Sequence, residues 1–331
     1  MSAPADKLSE WRQVLRRQSA ANIKRWLAQI KESDDPATLI IENYDNLLRA
    51  LENNLHNPDA FDLSFQLITS LHTAAIDYAD LDRWLHYLEK ALQTAETLGL
   101  DMEHAKLLSH VGDIHYRTGD LHLAEKLYKK GADKSKSVGD LSGYASTLAV
   151  MAVVADLQGQ TGQGVALCRK ALEIAGSIND LSVLGRAYLN LSNIHRRAHN
   201  WRPGLKAATD AFNIYQKLGK KLFVHKAQQN MVAIWAELGQ WEQVDAISEQ
   251  LIKALSAAGD IRTLSQLKNN LGLVAFRQKK YVLAEAAWQE ALQLHSQIQE
   301  PAEQASLYNN LGVVYTRMGE WQAAQEMLEK A

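Results

Sequence analysis

Residues 306–331 read SLYNNLGVVYTRMGEWQAAQEMLEKA, and the pattern of this stretch recurs backward through the chain. The slot of Leu311 returns every 40 residues as Leu271, Met231, Leu191, Met151, Val111 and Leu71, with no insertion. The next slot holds Gly312, Gly272, Val232, Ser192, Ala152, Gly112 and His72, which are mostly small. A second small series follows at Ala324, Ala284, Val244, Gly204, Gly164 and Ala124, and Trp84 breaks it in the first unit. Helices that cross closely need small side chains at the crossing. Units beginning at 65, 105, 145, 185, 225, 265 and 305 therefore each read as two helices packed on one another.

The punctuation keeps the same period, and it is chemically independent of the apolar pattern. Gly119, Gly159, Gly239 and Gly319 mark the end of a first helix, and Asp80, Asp120, Asn200 or Glu320 mark the start of a second. Gly99, Gly139, Asn179, Gly219 and Gly259 end the second helices with residues that tolerate a left-handed backbone. Pro203 falls in a first turn, where a missing amide donor costs little.

The last unit resembles the tetratricopeptide repeat. Tyr308, Leu311, Gly312, Tyr315, Gly319, Trp321, Ala324 and Ala331 stand at that family's signature offsets, and related matches run back over residues 61–331. The resemblance implies an all-α, right-handed superhelical solenoid of helix-turn-helix units with a peptide-binding groove. The family's commoner repeat is about 34 residues, so units of 40 predict longer helices and a changed pitch.

Residues 1–60 fall outside the period and read as an N-terminal helical cap or a small helical appendage. Helices are expected at 6–18, 20–32 and 37–54, separated by Ser19 and by the KESDDP turn at 31–36. ENYDNLLRAL at 42–51 and YLEKAL at 87–92 resemble the start of the helical sensor region of bacterial STAND-type regulators. A phosphate loop of the form G-x-x-x-x-G-K-S/T is absent from the sequence. Lys7, Arg12, Arg16, Arg17, Lys24, Arg25 and Lys31 outnumber Asp6, Glu10 and Glu32 here. Trp11, Leu15, Trp26 and Ile30 nevertheless favour an amphipathic pair packed on the first repeat over a docking arm.

With 331 residues, 47% hydrophobic and 22% charged, the composition excludes disordered and collagen-like classes. A net charge of −2 gives no global footprint for nucleic acid or an anionic membrane. The single cysteine, Cys168, the absence of a secretory apolar core in MSAPADKLSEW, and the lack of a long apolar run point to a cytoplasmic protein.

On a helix, unit positions 2, 6, 9 and 13 share one stripe opposite the buried positions. Position 6 carries Ser70, His110, Val150, Asn190, Asn230, Asn270 and Asn310. Four successive asparagines offer paired donors and acceptors suited to an extended peptide backbone. At about 0.5 to 1.5 kcal/mol per net hydrogen bond they supply about 2 to 6 kcal/mol, below the roughly 8 kcal/mol of micromolar binding. Asn193 lies beside them. Lys106, Arg117, Arg186, Arg197, Lys226, Arg277 and Arg317 share the stripe with only Asp77, Asp113 and Glu237, favouring an acidic segment or a free C-terminal carboxylate. Val150, Val153, Leu157, Ala233, Leu273 and Val313 add apolar spots.

Other chemistries fare worse. His195 and His199 stand four apart, but they fill a tyrosine slot and a turn slot and have no third ligand at metal spacing. Cys168 reads as a small core residue, and no carboxylate pair is singled out for acid–base work. The sequence thus predicts a non-enzymatic peptide- or protein-binding module without metal or cofactor. Membrane and nucleic-acid partners are not expected. The alternative is a ligand-sensing regulatory domain, similar in outline to bacterial quorum-peptide receptors. The last unit stops within its second helix, which suggests a longer protein or homo-oligomerisation through an open end.

Overall fold

A computed structural model describes residues 4–33, 36–78, 80–296 and 301–331, with side chains apart from those of 4–13, 37, 77, 78 and 301–303. Every regular element among them is helical, and none of these helices is long and apolar enough to cross a membrane. The chain packs as two compact units, residues 1–174 and 175–331.

The N-terminal region departs from expectation at both predicted breaks. Residues 6–32 form one helix, α1 (Pro4–Glu32), rather than two, because a lone serine costs a helix interior only tenths of a kcal/mol. Ser19 instead accepts a hydrogen bond from Asn54 Nδ2 at 2.6 Å. The expected 37–54 helix is two, α2 (Pro36–Glu42) and α3 (Tyr44–Glu52). At Asn43 the backbone leaves helical geometry with φ −110° and ψ 15°, and the side-chain amide donates to Leu39 O at 2.9 Å. Ile23 and Ile30 of α1 are buried and Trp26 is half-buried against the same core. Leu15, expected inside, is exposed, and Arg16, Arg17, Lys24, Arg25 and Lys31 lie in solvent. Trp11, Lys7, Arg12, Asp6 and Glu10 fall outside the described side chains.

Seven helix pairs follow. Within residues 1–174 begin α4 (Phe61–Tyr78) with α5 (Leu81–Thr97), α6 (Asp101–Arg117) with α7 (Leu121–Ser137), and α8 (Leu141–Leu157) with α9 (Thr161–Ser177). Residues 175–331 carry α10 (Leu181–Arg197) with α11 (Trp201–Lys217), and α12 (Lys221–Leu238) with α13 (Trp241–Ala257). They are followed by α14 (Ile261–Arg277) with α15 (Tyr281–His295), and α16 (Pro301–Met318) with α17 (Trp321–Lys330). Each first helix starts four residues before the unit boundary read from the sequence, because the stop before it, not the apolar pattern, sets its first turn. Asp140, Asp180 and Asp260 cap α8, α10 and α14 by accepting from backbone amides such as Gly143 N at 2.8 Å and Thr263 N at 3.1 Å. Asp80 and Asp120 cap the second helices as expected, whereas Asn200 and Glu320 make no side-chain cap bond.

The helix ends are left-handed at all nine predicted positions. His199 (φ 55°) and Lys279 (φ 59°) take the same conformation where the series lacks glycine. The small slot also has its expected purpose. A Cβ on Gly112 would lie 2.8 Å from the Tyr128 ring, one on Gly272 2.5 Å from Trp288 Nε1, and one on Gly312 2.6 Å from Leu328. Where that slot carries glycine, the residue sixteen later is large, and the facing ring or chain occupies the missing side chain's place. The two breaks in the first unit compensate each other in the same way, since Trp84 Nε1 donates to His72 Nδ1 at 3.2 Å.

Candidate functional site

In residues 1–174 two residues of the stripe, His110 and Asp113 of α6, lie against His72 of α4 and Tyr128 of α7. His72 Nε2 stands 2.9 Å from Asp113 Oδ2, and Tyr128 Oη donates to Asp113 Oδ1 at 2.5 Å. The His110 ring lies against His72 with centroids 3.7 Å apart and planes tilted by 37°, and its Nδ1 lies 3.7 Å from Asp113 Oδ2. Burial alone would raise the Asp113 pKa, but the two imidazoles outweigh it and hold the carboxyl well below its ordinary range. Burial, aided by His72, pushes His110 down to about 3, so its ring is neutral.

His72, His110 and Asp113 are close enough to suggest a metal site. The indole proton of Trp84 decides against it. By donating to His72 Nδ1 it leaves the imidazole proton on Nε2, the atom that faces Asp113, and a metal ligand needs a lone pair there. His72 and Tyr128 engage one carboxylate oxygen each, whereas both ring nitrogens of His110 are buried without a hydrogen-bond partner.

The second unit holds a more open arrangement. A cavity of about 190 Å³ is bounded by Arg196 of α10, Gln229 of α12, Ser265, Gln266, Asn269 and Asn270 of α14, His295 of α15, and Ser306 and Leu307 of α16. Much of this lining is already committed. Ser265 Oγ donates to Ala291 O at 2.9 Å, Asn269 O accepts from Trp288 Nε1 at 3.0 Å, and Asn269 Oδ1 accepts from Asn310 Nδ2 at 3.0 Å. Two donors are not. Asn270 Nδ2 and Arg196 Nε are buried without a protein partner. Burial, then the neighbouring charge of Arg197, lowers the Arg196 pKa, and Glu237 opposes them. Glu237 itself is gripped by Arg277 Nη2 at 2.7 Å.

The sequence-predicted residues divide accordingly. Lys106, His110 and Arg117 belong to the first unit; Arg186, Asn190, Asn193, Arg197, Lys226, Asn230, Asn270, Arg277, Asn310 and Arg317 belong to the second. Only Asn270 lines the cavity. Asn230 is buried (3% exposed) between helices and Asn310 is spent on Asn269, so the ladder is partly internal. Arg277 is tied to Glu237 and to Ala236 O. Lys106 and Lys226 reach over the rings of Phe65 and Phe223 at 5.9 and 5.7 Å, and Arg117, Arg186, Asn190 and Arg197 also have interactions within the chain. Asn193 and Lys226 are half-buried, while Arg186, Arg197 and Arg317 are exposed. Among the apolar spots Ala233 is buried and Leu157 exposed; the side chain of Asp77 lies outside the described residues.

Arg196, Gln229 and Asn269 were missed because they sit one helical step, about 100°, from the counted stripe. The amide doublets Gln229–Asn230, Asn269–Asn270 and Asn309–Asn310 carried the available signal: a repeated pair of amides spans two adjacent stripes.

Residues 263–331 match the tetratricopeptide repeat family model. No curated protein is detectably similar to the chain in sequence. Among solved structures, aspartyl phosphate phosphatase F from Bacillus subtilis is 15% identical with a TM-score of 0.67, over 100% of this chain and 94% of that one. The apo quorum sensor NprR from B. thuringiensis is 15% identical with a TM-score of 0.65, over 98% and 96% of the two chains. NprR in complex with its cognate peptide NprX gives 17%, 0.55, and 76% of each chain. A STAND protein with a tetratricopeptide repeat sensor from Pyrococcus horikoshii gives 15% and 0.56, over 96% of this chain and 52% of that one. At such identities the likeness is one of fold.

Proposed function

We propose that this tetratricopeptide repeat protein is a peptide-binding module whose ligand face is formed by the first helices of residues 175–331. The observation that carries the reading is the polar cavity among α10, α12, α14 and α16, where a predicted ladder asparagine presents a buried donor without a protein partner. A buried donor left without an acceptor costs about 1 to 3 kcal/mol, which a ligand carbonyl or carboxylate returns on binding. Exposed Arg317 of α16 favours an acidic ligand, since Glu237 is already engaged by Arg277. The NprR–NprX complex supports peptide capture as a use of this fold.

The module acts by binding rather than by catalysis and works in the cytoplasm. The phosphatase of similar fold supplies no activity here, because a likeness of fold at 15% identity does not carry residues over. A sensing role, in which capture signals to a linked effector, is supported by the STAND sensor likeness.

Selection from a random-peptide display library is the test, with an Asn270→Ala variant for comparison. Selected peptides should bind the variant about fivefold or more weakly, at about 1 kcal/mol for the lost hydrogen bond. Failure to select any peptide, or equal affinity for both proteins, overturns the reading. A change in radius of gyration on peptide binding, measured by X-ray scattering, separates a sensor from a passive module.

A further inference from the structure

We infer that a groove between α5 and α7, floored by α6, docks an amphipathic helix of a partner protein whose apolar stripe has one basic and one acidic flank. The groove lies within residues 1–174 and does not depend on the peptide-binding reading.

The repeat pattern is broken at this junction. The slot of His104 holds Tyr144, Leu184, Val224 and Leu264 in the next four units, and the slot of Lys134 holds Ile174, Ile214, Ala254 and Leu294. Apolar bulk is thus replaced here by an imidazole and an ammonium. Lys134 pairs with Asp101 Oδ1 at 2.8 Å, and a cavity of about 620 Å³ remains beside it. Leu92, Leu108 and Leu127 line it, and only Leu108 of the three is buried. His104 Nδ1 is buried without a partner. Burial, then the charge of Lys134, lowers the His104 pKa, so the ring is neutral at pH 7 and this nitrogen is open to one hydrogen bond with a ligand.

On α7, Leu127, Lys130, Lys134 and Ser137 advance by three, four and three residues and so form one stripe, about 15 Å long at about 1.5 Å per residue. About three turns of a helix fit that length. The walls differ in charge. Glu96 of α5 and Lys130 of α7 are exposed, and neither has an ion pair among the described residues. Asp133 also borders the groove, but it stands about 120° round α7 from Leu127, against about 60° for Lys130, and faces outward. A helix laid along the groove sets its apolar stripe on the leucines, a basic flank to Glu96, an acidic flank to Lys130 and a polar side chain to His104. A strand presents one row of side chains to a surface and has no second flank to offer.

Three stapled four-turn helices test this by fluorescence anisotropy with the full chain. All carry a leucine stripe; one has lysine on one flank and glutamate on the other, one has lysine on both, and one has glutamate on both. The mixed helix matches the walls in one direction or the other. It should bind the unaltered chain about threefold or more tightly than either uniform helix. Glu96→Lys makes both walls basic and should transfer the preference to the glutamate helix, whereas Lys130→Glu should transfer it to the lysine helix. Both changes are at exposed side chains, so folding is not at stake. The His104 ring signals in nuclear magnetic resonance, assigned with His104→Phe, should shift when the mixed helix binds.

No binding of any helix, or equal binding of all three, overturns the groove. Preferences that stay the same in both charge variants, or His104 signals that do not move, place the helix elsewhere on the chain and overturn it too. Asn270→Ala should leave all three affinities unchanged, and a loss there assigns the binding to the peptide face instead. Failure of the peptide reading leaves each of these outcomes as it stands.

Discussion

At the scale of single residues, the repeat is specified by pairs sixteen apart whose volumes trade against each other. Gly272 faces Trp288, which is 2% exposed and whose Nε1 donates to Asn269 O, so the ring cannot yield without losing that bond. Gly272→Ala gains up to about 1 kcal/mol of helix propensity but meets overpacking of about 1 to 3 kcal/mol. A net loss of about 1 to 2 kcal/mol is the expected outcome of urea unfolding. Gly176→Ala is the control, since a Cβ there meets nothing within 4 Å. It should stabilise by about 0.5 to 1 kcal/mol, and equal effects at the two sites would mean propensity alone is at work. In the first unit the polar pair Trp84–His72 replaces the small-residue contact. Trp84→Phe strands a buried acceptor and should cost at least about 1 to 3 kcal/mol. The losses in Trp84→Phe and in His72→Leu should be less than additive in the double variant, because one bond is lost twice. Strict additivity would show the two side chains to be uncoupled.

At the scale of elements, turns and caps carry the period as faithfully as the core does. Lys279 sits at a left-handed helix end with φ 59°, a conformation that costs a residue with a Cβ about 1 to 2 kcal/mol. Lys279→Gly should raise stability by about 1 kcal/mol, read as a shift in the urea midpoint at constant slope. Asp260→Ala should do the opposite, removing the bond from Thr263 N at the start of α14 for about 1 kcal/mol. These positions explain why the pairs are legible in the sequence: Gly119, Gly159, Gly239 and Gly319 take a left-handed backbone whatever surrounds them. Helix boundaries were less legible. The apolar pattern placed each first helix four residues late, and capping by Asp140, Asp180 and Asp260 was overlooked although the aspartate recurs. The split at Asn43 depends on a side-chain bond to Leu39 O that no periodicity announces.

At the scale of the molecule, residues 1–174 and 175–331 have put the same slot to different uses. In the second unit, position 6 carries asparagines, of which Asn270 lines a cavity; in the first, position 6 includes His110, enclosed with His72 and Asp113. The stripe revealed that these residues share a helix face, but it was blind to pairing between helices, which consumed Asn310 and Arg277 and left Arg196 and Asn270 as the open groups. That difference makes the first unit the more acid-sensitive of the two. His110 is neutral in the folded chain, with a pKa near 3 against an ordinary 6.5, so the unfolded chain binds more protons between those values. Stability contributed by His110 is whole above about pH 6.5 and drains away as pH falls toward 3. Asp113 is held below its ordinary 3.8, so its share is present above that value and is lost as the carboxylate protonates at lower pH, which adds to the same trend. Hydrogen exchange followed by mass spectrometry should therefore show α4, α6 and α7 opening earlier than α14 and α15 as pH is lowered from 7 to about 4. His110→Asn, which installs the residue found in this slot at 190, 230, 270 and 310, should remove most of that difference. If α6 opens with the same pH dependence in both proteins, the acid sensitivity of the first unit lies outside the His72–His110–Asp113 network.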